Sequence, residues 1–194
     1  MFRGYENSVK FEIPIKLTKI IVWLLPLSLI LLLISCTSEQ LPIGKNTLNS
    51  RYTEEQPYLS GDGKFLAYVS NRQGSHQLLL YNLQRQQVVP TPRLNKPRAI
   101  LESPSLSYTG RYIAYITNDQ GRSVIGLYDR AVERSQILTP IYRGWVRNPS
   151  ISPDGRYIVF ETSNRGQWDI EVLDRGASIE LDIPSGSVVP APRQ

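Results

Sequence analysis

The chain carries one cysteine, one histidine and one methionine among 194 residues, and these scarcities remove several chemistries at once. A lone Cys36 can form neither an intrachain disulfide nor a thiolate metal site. A lone His76 offers a Ser-His-acid hydrolase one candidate base, in a polar turn, and no Gly-x-Ser-x-Gly elbow supplies the nucleophile. His76 therefore reads as a solvated turn residue. The sequence lacks an Asp-x-Asp-x-Asp-Gly calcium loop and a glycine-rich phosphate cradle, and its acidic residues are dispersed at strand ends and turns. Nothing singles out the carboxylate pair of a glycosidase. The expectation is no catalytic residues, no metal, no cofactor and no enzyme. Charge of one sign is also scarce. Of 22 Lys and Arg and 17 Asp and Glu, four and two precede Ile20, so 18 basic residues face 15 acidic ones in the rest. Arg is spread singly instead of lining one face, which argues against a nucleic-acid partner.

The sequence has one long uncharged apolar run, Ile20–Ile34 (IIVWLLPLSLILLLI), of fifteen residues. That is short of the roughly 20 a spanning helix needs, and Pro26 interrupts it. Lys10, Lys16 and Lys19 precede it, giving the basic leader and apolar core of a secretory signal, expected as a helix over residues 1–35. Leu33-Ile34-Ser35-Cys36 follows directly and resembles the lipobox of bacterial lipoprotein signal peptides. That resemblance implies cleavage before Cys36 and attachment of diacylglycerol to its thiol. Two acyl chains, at about 0.8 kcal/mol per buried CH₂, give stable anchoring. Thr37, in place of Asp, implies release to the outer membrane where the source has one. The other reading is a free thiol on an uncleaved anchor. Residues 36–56 are polar and read as a lipidated tether, with Thr47-Leu48 able to supply an outer strand to the first or last blade.

Beyond the tether, three segments align without gaps over 26 residues, opening at Pro57, Pro104 and Pro149, with spacings of 47 and 45. Periods of this length with about four strands per copy belong to propeller blades. Each copy opens Pro-x-aliphatic-Ser and turns at Gly61-Asp62-Gly63, Tyr108-Thr109-Gly110 or Pro153-Asp154-Gly155, where the last glycine supplies a positive φ. Asp62 and Asp154 read as turn residues. A consecutive apolar strand follows (Phe65–Val69, Tyr112–Ile116, Tyr157–Phe160), as expected of a sheet covered on both faces. A third strand runs through Leu78–Tyr81, Val124–Tyr128 and Ile170–Leu173. The weakest, outer strand is expected at Val88-Val89, Ile137-Leu138 and Ile179-Glu180-Leu181.

The fold class expected is all-β, a partial β-propeller of three four-stranded blades over residues 57–103, 104–148 and 149–190. The unit resembles the TolB-type propeller repeat, best in Ser152-Pro153-Asp154-Gly155-Arg156-Tyr157-Ile158-Val159-Phe160 and again in Leu138-Thr139. These repeats occur in the envelope protein TolB, in propellers of prolyl oligopeptidase-like peptidases and in other lipoproteins, so they specify the repeat and not the function. The resemblance implies a lipid-anchored, periplasmic-side module that binds or scaffolds another envelope protein. The alternatives are a non-catalytic propeller subunit or lid of a separate hydrolase, and a truncated relative without independent function. Tyr68, Tyr115, Phe160, Tyr81 and Tyr128 recur in register and read as core. Trp145 and Trp168 do not recur, which makes them the candidate binding surface. Three blades leave two apolar ends, which a homodimer forming a six-bladed ring or the terminal segments would cover.

Overall fold

The computed structural model describes residues 47–183 and resolves the three repeats into three separate antiparallel sheets. The first blade is β1 (Glu54–Leu59), β2 (Phe65–Ser70), β3 (Gln77–Asn82) and β4 (Gln87–Val89), hydrogen-bonded in that order. The second repeats the meander as β5 (Leu101–Leu106), β6 (Tyr112–Asp119), β7 (Arg122–Asp129) and β8 (Arg134–Ile137). The third holds β9 (Val146–Ile151), β10 (Tyr157–Thr162) and β11 (Asp169–Asp174). The leading strands β1, β5 and β9 lie beside one another while β4 and β8 do not meet, so the sheets fan out from a common axis.

The blades stack through two apolar layers. Ala67, Leu78 and Leu80 of the first blade pack on Leu101, Leu106, Ile113, Tyr115 and Tyr128 of the second. Tyr112, Ala114, Ile116, Ile125 and Leu127 on its other face pack on Val146, Ile151, Ile158 and Phe160 of the third. Successive side chains of a strand point to opposite faces, so a strand with five consecutive apolar and buried positions, as β6 has at Tyr112–Ile116 and β7 at Val124–Tyr128, must be the middle of a stack. Tyr68, Tyr81, Tyr115, Tyr128 and Phe160 are all buried.

Three features differ from the sequence reading. First, the innermost strand starts before the repeated proline, at Glu54, so residues 54–56 belong to β1 and not to a tether. Each innermost strand breaks register at this point. Gln56, Ser103 and Asn148, each just before the proline, take φ of 53°, 50° and 52°. Such values are uncommon without glycine, and their threefold recurrence marks a bulge built into the blade. Second, Thr47-Leu48 forms no strand. Leu48 instead packs on the Tyr68, Leu79 and Tyr81 cluster of the first blade. Arg72 holds the segment there by donating to the Thr47 and Leu48 carbonyls and pairing with Glu54.

Third, Ile179-Glu180-Leu181 is not the fourth strand of the third blade, and no strand pairs with the outer edge of β11 among the described residues. Blades one and two turn after the third strand through a residue of positive φ, Gln86 or Glu133, and come back as β4 or β8. After β11 the positive φ falls instead on Gly176, at 92°, and the chain leaves the sheet. It runs back to the second blade, where Tyr112 donates its hydroxyl to the Glu180 carbonyl and Arg111 pairs with the Glu180 carboxylate. The expected signal helix, with Leu33, Ile34, Ser35 and Cys36, lies outside the described residues.

Candidate binding surface

The blades have two ends, and the antiparallel order decides which side chains meet at each. One end carries the Ser-x-Asp-Gly turns between the first two strands of each blade. There Asp62 and Asp154 are bound up locally. Ser60 Oγ donates to Asp62 at 2.7 Å, and the Lys64 amide donates to the same oxygen. Ser152 and the Arg156 amide treat Asp154 alike. The Ser60 and Ser152 hydroxyls in turn accept the amides of Phe65 and Tyr157. A carboxylate that spends its lone pairs on its own turn is structural, as the sequence predicts.

The second copy has Thr109 where the others have Asp, and its missing carboxylate arrives from far along the chain. Asp182, buried, accepts from Ser107 Oγ at 2.6 Å, from the Thr109 amide at 2.8 Å and from Thr109 Oγ1 at 2.5 Å. Its own amide donates to the Asp154 carbonyl at 2.8 Å, tying blades two and three together. Sequence reasoning missed this residue. Its one signal was the vacancy at 109 in an otherwise repeated Asp.

A groove of about 550 Å³ beside this segment gathers Arg111, Asp129, Arg134, Arg175 and Glu180. Two of its three arginines are already engaged. Arg111 is shared by Glu180 and Asp129, which together hold its guanidinium protonated above the ordinary range, Glu180 contributing most. Arg175 lies 4.2 Å from the centre of the Tyr112 ring and donates to the Gly155 carbonyl. The groove is a seam of the fold.

The opposite end carries the β2–β3, β6–β7 and β10–β11 connections and the starts of the innermost strands. Trp145 precedes β9, and Trp168 precedes β11. Trp145 and Ser163 exchange hydrogen bonds where β10 ends, while Asp169, next to Trp168, pairs with Thr162, so both indoles flank the same strand end. Both are exposed. Arg147 stacks on the Trp168 ring at 3.8 Å and pairs with Glu161 at 2.6 Å, and Asn148 donates to the other Glu161 oxygen. Those two donors, Asn148 first, hold the Glu161 carboxyl below its usual range. Trp145 also borders a shallow groove with Ile100, Glu102 and Arg122 of the second blade.

His76 lies at this same end, its Nδ1 3.4 Å from Glu102 and its Nε2 4.0 Å from Glu55. Glu55, Glu102 and Arg147 hold one repeat position, so this rim is acidic on the first two blades and basic on the third. That juxtaposition was invisible in the sequence because it joins two blades. No three metal-ligating side chains converge among the described residues. The arrangement offers exposed indoles, a stacked guanidinium and paired charges. These are the parts of a recognition surface.

Set against known structures, the described blades match a TolB from Acinetobacter baumannii with a TM-score of 0.56 at 22% identity, over 66% of this chain and 31% of that one. The fold is TolB-like. A second TolB structure, from Agrobacterium tumefaciens, matches with a TM-score of 0.56 at 22% identity over 75% of this chain and 50% of its own. The chain thus spans a third to a half of the TolB structures it matches. A puromycin-hydrolyzing peptidase from Mycobacterium tuberculosis shares the TolB-like blades at 15% identity and a TM-score of 0.50, over 65% of this chain and 20% of that one. Compared by sequence, the chain matches no family model and no curated protein.

Proposed function

We propose that the chain is a lipid-anchored protein of the cell envelope whose TolB-like blades form a protein-binding module without catalysis of their own. The observation that carries the binding role is the end surface with Trp145, Trp168 and the Arg147 stack. Exposed tryptophan and arginine, held by hydrogen bonds and stacking, are the residue types that dominate protein interfaces. The lipobox resemblance at Leu33–Cys36 supports the anchor and the periplasmic side.

Two experiments test the two halves of the reading. Metabolic labelling with a palmitate analogue should mark the native protein, and Cys36→Ser should abolish the label and leave the precursor mass. A labelled Cys36→Ser protein defeats the anchor. For the binding surface, the doubly substituted Trp145→Ala, Trp168→Ala protein should lose its crosslinks to other envelope proteins while keeping its β-sheet circular dichroism. An unchanged crosslinking pattern defeats the assignment of that end as the binding surface.

A further inference from the structure

The outer edge of β11 is unpaired among the described residues, whereas β3 and β7 are covered there by β4 and β8. We propose that residues 187–189 of this chain dock on that edge as an added antiparallel strand, in the register in which β4 docks on β3. The inference is independent of the binding role above.

The sequence identifies the occupant. Val88 and Val89 of β4 open the segment Val-Val-Pro-Thr-Pro-Arg, and residues 188–193 read Val-Val-Pro-Ala-Pro-Arg, identical at five of six positions. The second blade pairs Ser135 and Gln136 with its third strand where the first pairs Val88 and Val89, so the match is not a feature of every copy. The residue before each outer strand has a positive φ, Gln86 at 51° and Glu133 at 53°. Aligned on the two valines, that place falls on Gly186, and glycine takes positive φ without steric cost.

The path of the chain permits the docking. The stretch from Asp174 to Val188 is eight residues longer than that from Asn82 to Val88. The extra length carries the contacts of Glu180 and Asp182 with the second blade. Asp182 is tied to the Asp154 carbonyl in the turn between β9 and β10, at the end of the blade where β11 finishes, since Tyr157 pairs with Asp174. From that turn the outer side of β11 is two to three strand spacings away, about 10–14 Å at roughly 4.8 Å each. The five residues from Asp182 to Ser187 reach up to about 17 Å. A strand that starts at this end runs antiparallel to β11, as β4 runs to β3.

The register of the first blade pairs Leu80 with Val89, Tyr81 with Val88 and Asn82 with Gln87. Carried to the third blade, it sets Val172 opposite Val189, Leu173 opposite Val188 and Asp174 opposite Ser187. Val172 is 63% exposed and gains in Val189 the neighbour that Leu80 has in Val89. An uncovered strand edge is a template for pairing with other chains. The docked segment closes that edge and leaves foreign partners the tryptophan end.

The test uses the full-length chain carrying Cys36→Ser, so that only introduced thiols react. The pair Val172→Cys, Val189→Cys sets two thiols directly opposite each other, where Cα separations of about 4.5–5.5 Å suit a disulfide. Mild oxidation should give an intrachain disulfide at the single-chain mass. The pair Val172→Cys, Val188→Cys points to opposite faces and should form at most about a fifth as much. Equal yields from the two pairs, a disulfide only between copies, or no disulfide overturns the proposal. Hydrogen exchange on the chain without introduced cysteines is the second measurement. Val188→Pro, Val189→Pro removes two amide donors from the docked strand, and the outward amides of Glu171–Asp174 should then exchange about tenfold faster while those of β2 and β6 keep their protection. Unchanged exchange at β11 overturns the proposal as well. Trp145 and Trp168 are untouched in every variant, so a failure here is read apart from a failure of the binding surface.

Discussion

Replacing Asp182 by Ala tests whether a side chain from the end of the described chain completes a turn more than 70 residues earlier. The substitution strips the acceptor from the Ser107 hydroxyl, the Thr109 amide and the Thr109 hydroxyl. Hydrogen bonds to a charged group contribute about 1.5–3 kcal/mol each, and three on one carboxylate are not additive. Thr109 is half-exposed and finds water, but Ser107 is fully buried and has only a long alternative to the Tyr112 carbonyl, at 3.3 Å. The net cost is therefore about 2–3 kcal/mol, or roughly 6–12 °C in Tm for a domain of this size. Urea unfolding followed by tryptophan fluorescence measures it. The double variant Thr109→Asp, Asp182→Ala places the carboxylate where the first and third blades carry theirs and should regain at least half the loss. Thr109→Asp alone, which sets two carboxylates at one turn, should destabilise the protein by about 1 kcal/mol. A loss under roughly 0.5 kcal/mol for Asp182→Ala, or a double variant no better than the single, would falsify the replacement logic.

Three further outcomes follow from single contacts. Tyr142 is pushed up to about 12 by burial and by the hydrogen bond it donates to Glu171, so its contribution to stability is complete below about pH 10 and is lost as pH rises through 12. Glu171→Gln should bring the phenolate absorbance midpoint down, and a midpoint that stays put removes Glu171 as a cause. Asp174 is held at about 2, below its ordinary 3.8, chiefly by the two hydrogen bonds Arg156 donates. Its contribution is present above about pH 4 and is lost as pH falls through 2. In Arg156→Gln the carboxyl should titrate by NMR closer to 3.8, still lowered by the Gly176 amide, and a midpoint still near 2 refutes the pairing. Gly126 on β7 faces Tyr115 on the adjacent β6, and a Cβ there would come within 2.5 Å of the ring. Gly126→Val should cost about 1–3 kcal/mol by overpacking, with part recovered by Tyr115→Leu, and a neutral Gly126→Val would show that the ring moves freely.

How far the fold could be read from the sequence follows from which interactions repeat. Proline, turn glycine, apolar strand and closing Asn or Asp recur at fixed spacing, so the blades, their three inner strands and the buried tyrosines were readable from the residues alone. The innermost bulge was not, because its positive φ falls on Gln56, Ser103 and Asn148, three different residue types of which none is glycine. The fourth strand of the third blade was misplaced for a related reason. Ile179-Glu180-Leu181 has the apolar-polar-apolar pattern of an edge strand, and its path is set by contacts with Arg111, Tyr112 and Ser107 that lie on another blade.

The candidate surface divides in the same way. Trp145 and Trp168 stood out because they break the repeat, and the structure puts both at one end of the third blade. Their neighbours Arg147 and Glu161 occupy positions that are Glu102 and Ile116 in the second blade, so two departures from the repeat fall beside the two tryptophans. A charge where the stack carries isoleucine weakens continued apolar stacking at that edge, while Ile170 and Val172, in the middle of the same face, keep the apolar character that stacking needs. The third blade therefore carries two distinct surfaces. One is a polar-aromatic end suited to a foreign partner, and the other is an apolar face suited to another blade.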